Sequence, residues 1–317
     1  MKALGLNSGE WYSARGNENH FHLMREPMLS LSRSLALKLV ACAALSAASL
    51  LCVPNAVSQN AANSEPEKPI QDNSFLIEEA YNQEDGVVQH ISTFTRLSDS
   101  RQWAYSFTQE FPVRGQKSQL SYTLPILNNP ELGTRGVGDL AINYRYQAIG
   151  SGETRVAFSP RVSLLLPTGD SRKGHGSGGY GFQANLPLSV VLNKHVVTHW
   201  NVGTTITPSA RNIVGDTALT TGYNVGGSVI VAPHSKFNVM FETLWTGSEA
   251  VISRDRTQRE HDLLLSPGIR WAHDFKNGLQ IVPGIAVPIG VGPSRNEKGV
   301  FLYVSFEHPW SIFARKK

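Results

Sequence analysis

Alternation with period two runs through most of this sequence and constrains its fold more than any other feature. In the stretch Trp103 to Phe111 the odd positions are nearly all aromatic, while Ala104, Ser106, Thr108 and Glu110 are small or polar. Leu140, Ile142, Tyr144 and Tyr146 alternate with Asp139, Ala141, Asn143, Arg145 and Gln147. Val156, Phe158, Val162, Leu164 and Leu166 alternate with Arg155, Ala157, Ser159, Arg161 and Ser163. The same register returns at 182–192, 195–206, 217–231, 236–246, 261–273, 278–289 and 299–308, and more weakly at 87–96 and 117–125. Successive side chains on a strand point to opposite faces, so each stretch carries one apolar and one polar face. The pattern predicts about twelve strands, with ten to fourteen as the range, and no stretch after the N-terminal region has helical period.

Strands of this length can bury an apolar face against each other, as in a soluble sandwich or lipocalin-like binder, or against lipid. Three features favour lipid. Aromatic residues cluster at strand ends, at Trp103, Phe111, Tyr146, Trp245 and Trp271, as in interfacial girdles. The opposite face carries Asn, Gln, Ser, Arg and Asp rather than small apolar residues. Strand number and length exceed those of the usual soluble barrel. In a bilayer every backbone group must be paired internally, which requires closure. The expected fold is therefore all-β, a single antiparallel transmembrane β-barrel over residues 74–317. Short turns such as 276–278 and 233–235 alternate with polar stretches at 169–179, 209–216 and 248–260, which read as long external loops.

The N-terminal region reads as an export signal. Arg33 and Lys38 precede an apolar run from Leu39 to Val53, and Ala56-Val57-Ser58 forms a small-x-small cleavage site. The expected division is an over-extended start at 1–27, a signal peptide at 28–58 and a polar linker at 59–73. Leu39-Val40-Ala41-Cys42 matches a lipoprotein consensus, but no apolar stretch precedes it. Both cysteines, Cys42 and Cys52, lie in this segment, so the exported chain would have neither a disulfide nor a thiolate site. Of 29 Lys/Arg and 25 Asp/Glu, five and three fall before residue 59, which leaves a charge of +2. The charges are interspersed, with no basic block for nucleic acid. Export without disulfides and a closed barrel together point to the outer membrane of a Gram-negative-type bacterium, with lipid as one partner.

Three stretches resemble a known family. Gly136-Val137-Gly138-Asp139-Leu140 opens a strand that ends on Arg145-Tyr146. Leu164-Leu165-Leu166-Pro167-Thr168-Gly169-Asp170 runs into a glycine-rich loop from Gly174 to Gly181, and Trp200-Asn201-Val202-Gly203 follows. Together they are similar to the bacterial outer-membrane transporter family named for the meta-pathway of phenol degradation. The resemblance spans roughly residues 75–308 and implies a barrel transporter, while its motifs say little about cargo. The expected function is passive passage of small solutes, aromatic or hydrophobic ones among them. Barrels of this kind often end on an aromatic residue read by the barrel assembly machinery, whereas this chain continues past Phe306 to Lys317.

Motifs for other chemistry lack the context they require. Glycines at 174, 176 and 179, and again at 176, 178 and 181, match a dinucleotide pattern. A strand pattern containing Pro187 follows, however, where a helix N-terminus is required. His195 and His199 would stand about 13 Å apart on one strand face, too far to share a metal. No G-x-S-x-G elbow is present. Same-face pairs His90/Ser92 and His199/Asn201 keep a hydrolase open as an alternative, but no enzyme, cofactor or metal site is expected. The polar face places Glu110, Asp139, Arg145, Arg155, Arg161, Glu242, Asp262 and Arg270 as lumen-lining candidates. These are either a channel lining for a small-molecule solute or buried ion pairs that fill a narrow barrel. Asp170, Arg172, Lys173 and His175 are external-loop candidates. A closed structural barrel is the other alternative, and nothing in the sequence sets the oligomeric state.

Overall fold

The computed structural model describes residues 70–113 and 115–309. The expected signal peptide, its cysteines, most of the linker and the extreme C-terminus lie outside the described residues. Among the described residues no helix is long and apolar enough to cross a membrane.

Twelve strands form a closed antiparallel barrel. Their ranges are β1 Val87–Leu97, β2 Trp103–Pro112, β3 Ser118–Asn129, β4 Thr134–Val137 with Leu140–Tyr146, β5 Val156–Phe158 with Arg161–Leu166, and β6 Gly181–Asn185 with Leu188–Asn193. The second half comprises β7 Val196–Arg211, β8 Thr217–His234, β9 Phe237–Ser253, β10 Arg256–Trp271, which continues as His273–Asp274, β11 Gln280–Ala286 with Ile289–Gly290, and β12 Gly299–Pro309. Each pairs with its sequence neighbours. β1 pairs with β12 from Val87↔Pro309 to Leu97↔Gly299, which closes the cylinder and leaves no free edge. Proline lacks the N–H that a ladder needs, and Pro160, Pro187 and Pro288 sit at the breaks in β5, β6 and β11.

The period-two pattern separates outside from inside. Ile142, Tyr144, Val162, Leu164, Phe182, Trp200 and Val202 are exposed on the outer wall, whereas Asn143, Arg145, Arg161, Ser163, Gln183, Asn185 and Asn201 are buried within. Phe111, Tyr146 and Trp271 stand where β2, β4 and β10 approach the end that carries the start of β1 and the close of β12. We refer to this as the terminal end and to the opposite one as the far end.

Two expectations need correction. The polar stretch 248–260 is not a loop, because β9 and β10 continue their ladder through Ser248↔Glu260 to Val251↔Thr257. They turn on Arg254-Asp255 alone, with Asp255 at φ 56°, and the stretch 209–216 likewise shortens to a turn between Arg211 and Thr217. Alternation in hydropathy ends where the apolar band ends, whereas the hydrogen-bond ladder carries on into water. The inner face is also not uniformly polar. Ile230, Met240, Leu244, Leu264 and Phe301 form an apolar cluster inside the barrel with Phe75, Leu76 and Ile77.

Candidate lumen site

The interior is occupied by the chain itself. Residues 70–83, ahead of β1, are buried almost throughout. Gln71 donates to the Gly152 carbonyl in the β4–β5 turn, and Asn82 donates to the Gln116 carbonyl in the β2–β3 turn, 2.9 Å away. Both turns belong to the terminal end. The segment therefore enters the barrel there, reaches the lumen around Phe75 to Glu78 and returns to the same mouth before β1. The linker expected at 59–73 and the barrel expected from 74 have no visible boundary between them, because residues 70–73 continue directly into this segment.

A segment without a strand partner leaves its backbone groups to be satisfied by side chains. The inward polar positions supply those partners. Glu242 accepts from the N–H groups of Leu76 (3.1 Å) and Ile77 (3.3 Å). Asn201 accepts from the Glu78 N–H and donates to the Glu78 carbonyl, both at 2.7 Å. Ser189 accepts from Ala80 N–H at 2.8 Å, Gln147 from Asn82 N–H at 3.1 Å and Gln119 from Gln83 N–H at 2.7 Å. Arg270 donates to the carbonyls of Asp72 (2.6 Å) and Asn73 (2.7 Å).

Glu78 is the electrostatic centre of the segment. Its carboxylate accepts from Arg161 Nε at 2.9 Å, Arg145 Nη1 at 3.3 Å and Asn185 Nδ2 at 2.7 Å. Glu110 lies 3.7 Å from Arg145 and accepts from Gln119 at 2.8 Å. Asp72 accepts from Gln89, Tyr303 and Ser305, which ties the segment to β1 and β12. Burial, reinforced by the Asp72 carboxylate, pushes the Glu79 carboxyl up to about 8.

Shape matches charge. Gly226 on β8, Gly268 on β10 and Gly284 on β11 face inward where the segment is bulkiest. A Cβ at Gly284 would lie 2.5 Å from Phe75 Cζ, at Gly268 2.7 Å from Phe75 Cε2, and at Gly226 2.3 Å from Ile77 Cδ1. Overpacking of this kind costs about 1–3 kcal/mol, so Gly284→Ala is expected to expose the segment to protease about 5- to 150-fold faster. Limited proteolysis checks this, and combining it with Phe75→Leu should recover most of the protection. An unchanged cleavage rate would remove the glycine cradle as the seat of Phe75.

Between the segment and β1–β4 a gap of about 60 Å³ remains, lined by Thr93, Ser106, Thr108, Thr123 and Asn143. That is room for about two waters. At the terminal mouth a second cavity of about 380 Å³ opens beside Glu79 and Glu307.

At the far end the β5–β6 connection folds onto β4 at Gly136 to Asp139, where the two glycine-containing motifs meet. Asp139 accepts from Gly169 N–H at 2.9 Å and from the N–H and hydroxyl of Ser177, each at 2.6 Å. Thr168 donates to the Gly138 carbonyl at 2.8 Å. Gly176 is required against Asp139, because a Cβ there would lie 2.3 Å from its Oδ1. Asp139→Asn places an NH₂ donor among these donors and loses charge-assisted bonds, a cost of about 1–3 kcal/mol. Tryptic cleavage after the exposed Arg172 and Lys173 is expected to quicken by about one to two orders of magnitude, and an unaltered rate would mean that Asp139 does not hold this connection in place.

Of the lumen-lining candidates, Glu110, Arg145, Arg161, Glu242 and Arg270 are brought together around the segment, while Asp139 holds the loop. Asp262 accepts from Ser294 at 2.8 Å, which places it against the far-end β11–β12 connection. Arg155 is a correction: it is exposed in the β4–β5 turn, because β5 begins only at Val156. Among the external-loop candidates Asp170, Arg172 and Lys173 are exposed, whereas His175 is buried beneath Gly136. His90 stacks on His308 at 5.2 Å in the outward register of β1, and His199 is buried edge-on against Tyr81 at 5.9 Å. Among the described residues no group of three His, Cys, Asp or Glu could hold a metal ion.

The residues missed at the sequence level are Asp72, Glu78, Glu79 and the three inward glycines. The signal available was a run of apolar and acidic residues, Phe75-Leu76-Ile77-Glu78-Glu79, standing before the first strand without strand period.

No protein-family model matches the chain, and no curated protein matches it. Among solved structures it is similar to the COG4313 outer membrane channel from Pseudomonas putida F1, at 13% identity and TM-score 0.50, covering 72% of this chain and 97% of that one. The likeness is one of fold. The NanC porin (13% identity, TM-score 0.47, 68% of this chain and 98% of that one) and the KdgM porin (6%, 0.44, 69% and 98%) are also similar.

Proposed function

We propose that this chain is an outer-membrane channel for small solutes, closed in this state by residues 70–83 and opened when that segment leaves the lumen. The reading is supported chiefly by how the segment is held, through polar and apolar side-chain contacts rather than strand pairing, so it can leave without breaking the barrel ladder. The segment is also a gauge of the passage. A wall that accommodates a folded-back peptide leaves, on its departure, a lumen wide enough for a small molecule, as expected between eight strands, which side chains fill, and sixteen, which enclose an aqueous channel. The outer wall of apolar residues and the closed ladder suit a bilayer. The likeness in fold to an outer membrane channel is compatible with this, as is the resemblance to the phenol meta-pathway transporter family. The mixed charge of the lumen is suited to solutes with both polar and apolar parts.

A reversible lock tests the proposal. Ser74 Oγ lies 3.2 Å from Ser228 Oγ on β8, within reach of a disulfide with little backbone movement. In the exported chain the pair Ser74→Cys and Ser228→Cys would meet no other cysteine. Oxidised protein in a planar bilayer should pass only a small residual current, and reduction should restore discrete steps of full size. Equal conductance in both redox states would overturn the gating role. Insertion without conductance in either state would make this a structural barrel instead.

A further inference from the structure

We propose that the cavity at the terminal mouth is a binding site for a primary ammonium ion on a short alkyl or arylalkyl chain, held by Glu79 and Glu307. The cavity measures about 380 Å³ and presents those two carboxylates together with apolar side chains of Ile70, Val87, Phe275 and Leu279. Glu79 is 3% exposed, and its Oε2 is buried without a hydrogen-bond partner. A buried carboxylate oxygen is seldom left bare, because desolvation without a donor is costly.

Arg270 and Arg145 act on the Glu79 carboxyl through space, but neither donates a hydrogen bond to its buried Oε2. Arg145 is committed to Glu78, Glu110, Asn82 and main-chain carbonyls, Arg161 to Glu78, Asn143, Ser163 and Gln183, and Arg270 to main-chain carbonyls. Around the segment six carboxylates, Asp72, Glu78, Glu79, Glu110, Glu242 and Glu307, face these three guanidiniums among the described residues. Lys236, also at the cavity, lies 3.3 Å from Asp274. The carboxyl groups at the mouth thus outnumber the cations there, and an ammonium ion seated between Glu79 and Glu307 would favour their ionised forms.

The lining selects its kind. Among the described residues no cluster of three ligands suits a metal ion. An ammonium group offers three donors to two carboxylates, and a carbon chain fills the rest of the cavity against its apolar residues.

The test is isothermal titration calorimetry of the full exported chain in detergent with 2-phenylethylammonium, its neutral counterpart 2-phenylethanol, and Mg²⁺. The ammonium should bind, the alcohol should not, and Glu79→Gln should weaken binding roughly tenfold or more, the scale of a charge-assisted hydrogen bond. Glu307→Gln should weaken it as well and decides the matter if Glu79→Gln fails the heat-modifiable mobility check for folding. No binding by the wild type, equal binding of the alcohol, unchanged affinity in the folded variants, or binding of Mg²⁺ with the amine silent would overturn the site. The inference rests on the segment being seated in the lumen. Calorimetry reads binding whether or not the barrel conducts, so this proposal and the gating proposal fail separately.

Discussion

Replacing Glu78 by alanine is expected to raise the open probability of the reconstituted barrel by about two to three orders of magnitude. In the seated state this carboxylate neutralises Arg161 and Arg145 and accepts a bond from Asn185. Glu78, Arg145 and Arg161 are all at most 6% exposed. Removing one member of a buried ion pair typically costs about 3–5 kcal/mol, because the other charge stays desolvated. The cost falls on the seated state alone, since an open lumen hydrates both guanidiniums, and about 1.4 kcal/mol corresponds to tenfold. Glu78→Gln keeps an acceptor for one guanidinium and should fall between wild type and alanine. Single-channel recording of protein that passes the mobility check decides it. Wild-type open probability in Glu78→Ala would mean that the ion pairs do not hold the segment.

The strands were legible because each is a wall between two media, and that boundary is written locally as alternation. All twelve predicted stretches coincide with strands for this reason. Arg145, Arg161, Glu242 and Arg270 were assignable to the inner face by parity alone. What parity could not convey is what they face. Glu78 meets residues 67, 83 and 107 positions away in sequence, and no pattern local to Phe75–Glu79 announces such partners. The mixed lumen has the same origin: Gly268, Gly284 and Phe301 read as breaks in a polar face until Phe75 is placed against them. Arg155 shows the limit of parity, which assigns a face only where the ladder exists. His175 shows the limit of composition, since a glycine-rich stretch is as ready to fold inward against Asp139 as to extend into water.

Deleting residues 70–83 should change selectivity as well as conductance, and the direction follows from the charges removed. With the segment seated, six carboxylates face three guanidiniums. The deletion removes Asp72, Glu78 and Glu79 and leaves Glu110, Glu242 and Glu307 on the wall opposite Arg145, Arg161 and Arg270, in balance. Residual conduction past the seated segment should therefore be cation-selective above about pH 8, where the Glu79 carboxyl is ionised. The deleted form should conduct several-fold more per open event, with a reversal potential in a salt gradient close to zero. Selectivity of this kind arises from charge close to the path, where the low dielectric of the wall weakens screening. The barrel ladder, closed by β1 and β12, does not depend on the segment, so heat-modifiable mobility should survive with a lower unfolding temperature. A deletion that folds, conducts no more than wild type and keeps cation selectivity would show that the segment neither blocks the path nor sets its charge. Zero-current potential separates the two parts of the prediction: a shift without a rise in conductance would assign the segment to selectivity alone, and a rise without a shift would assign it to occlusion alone.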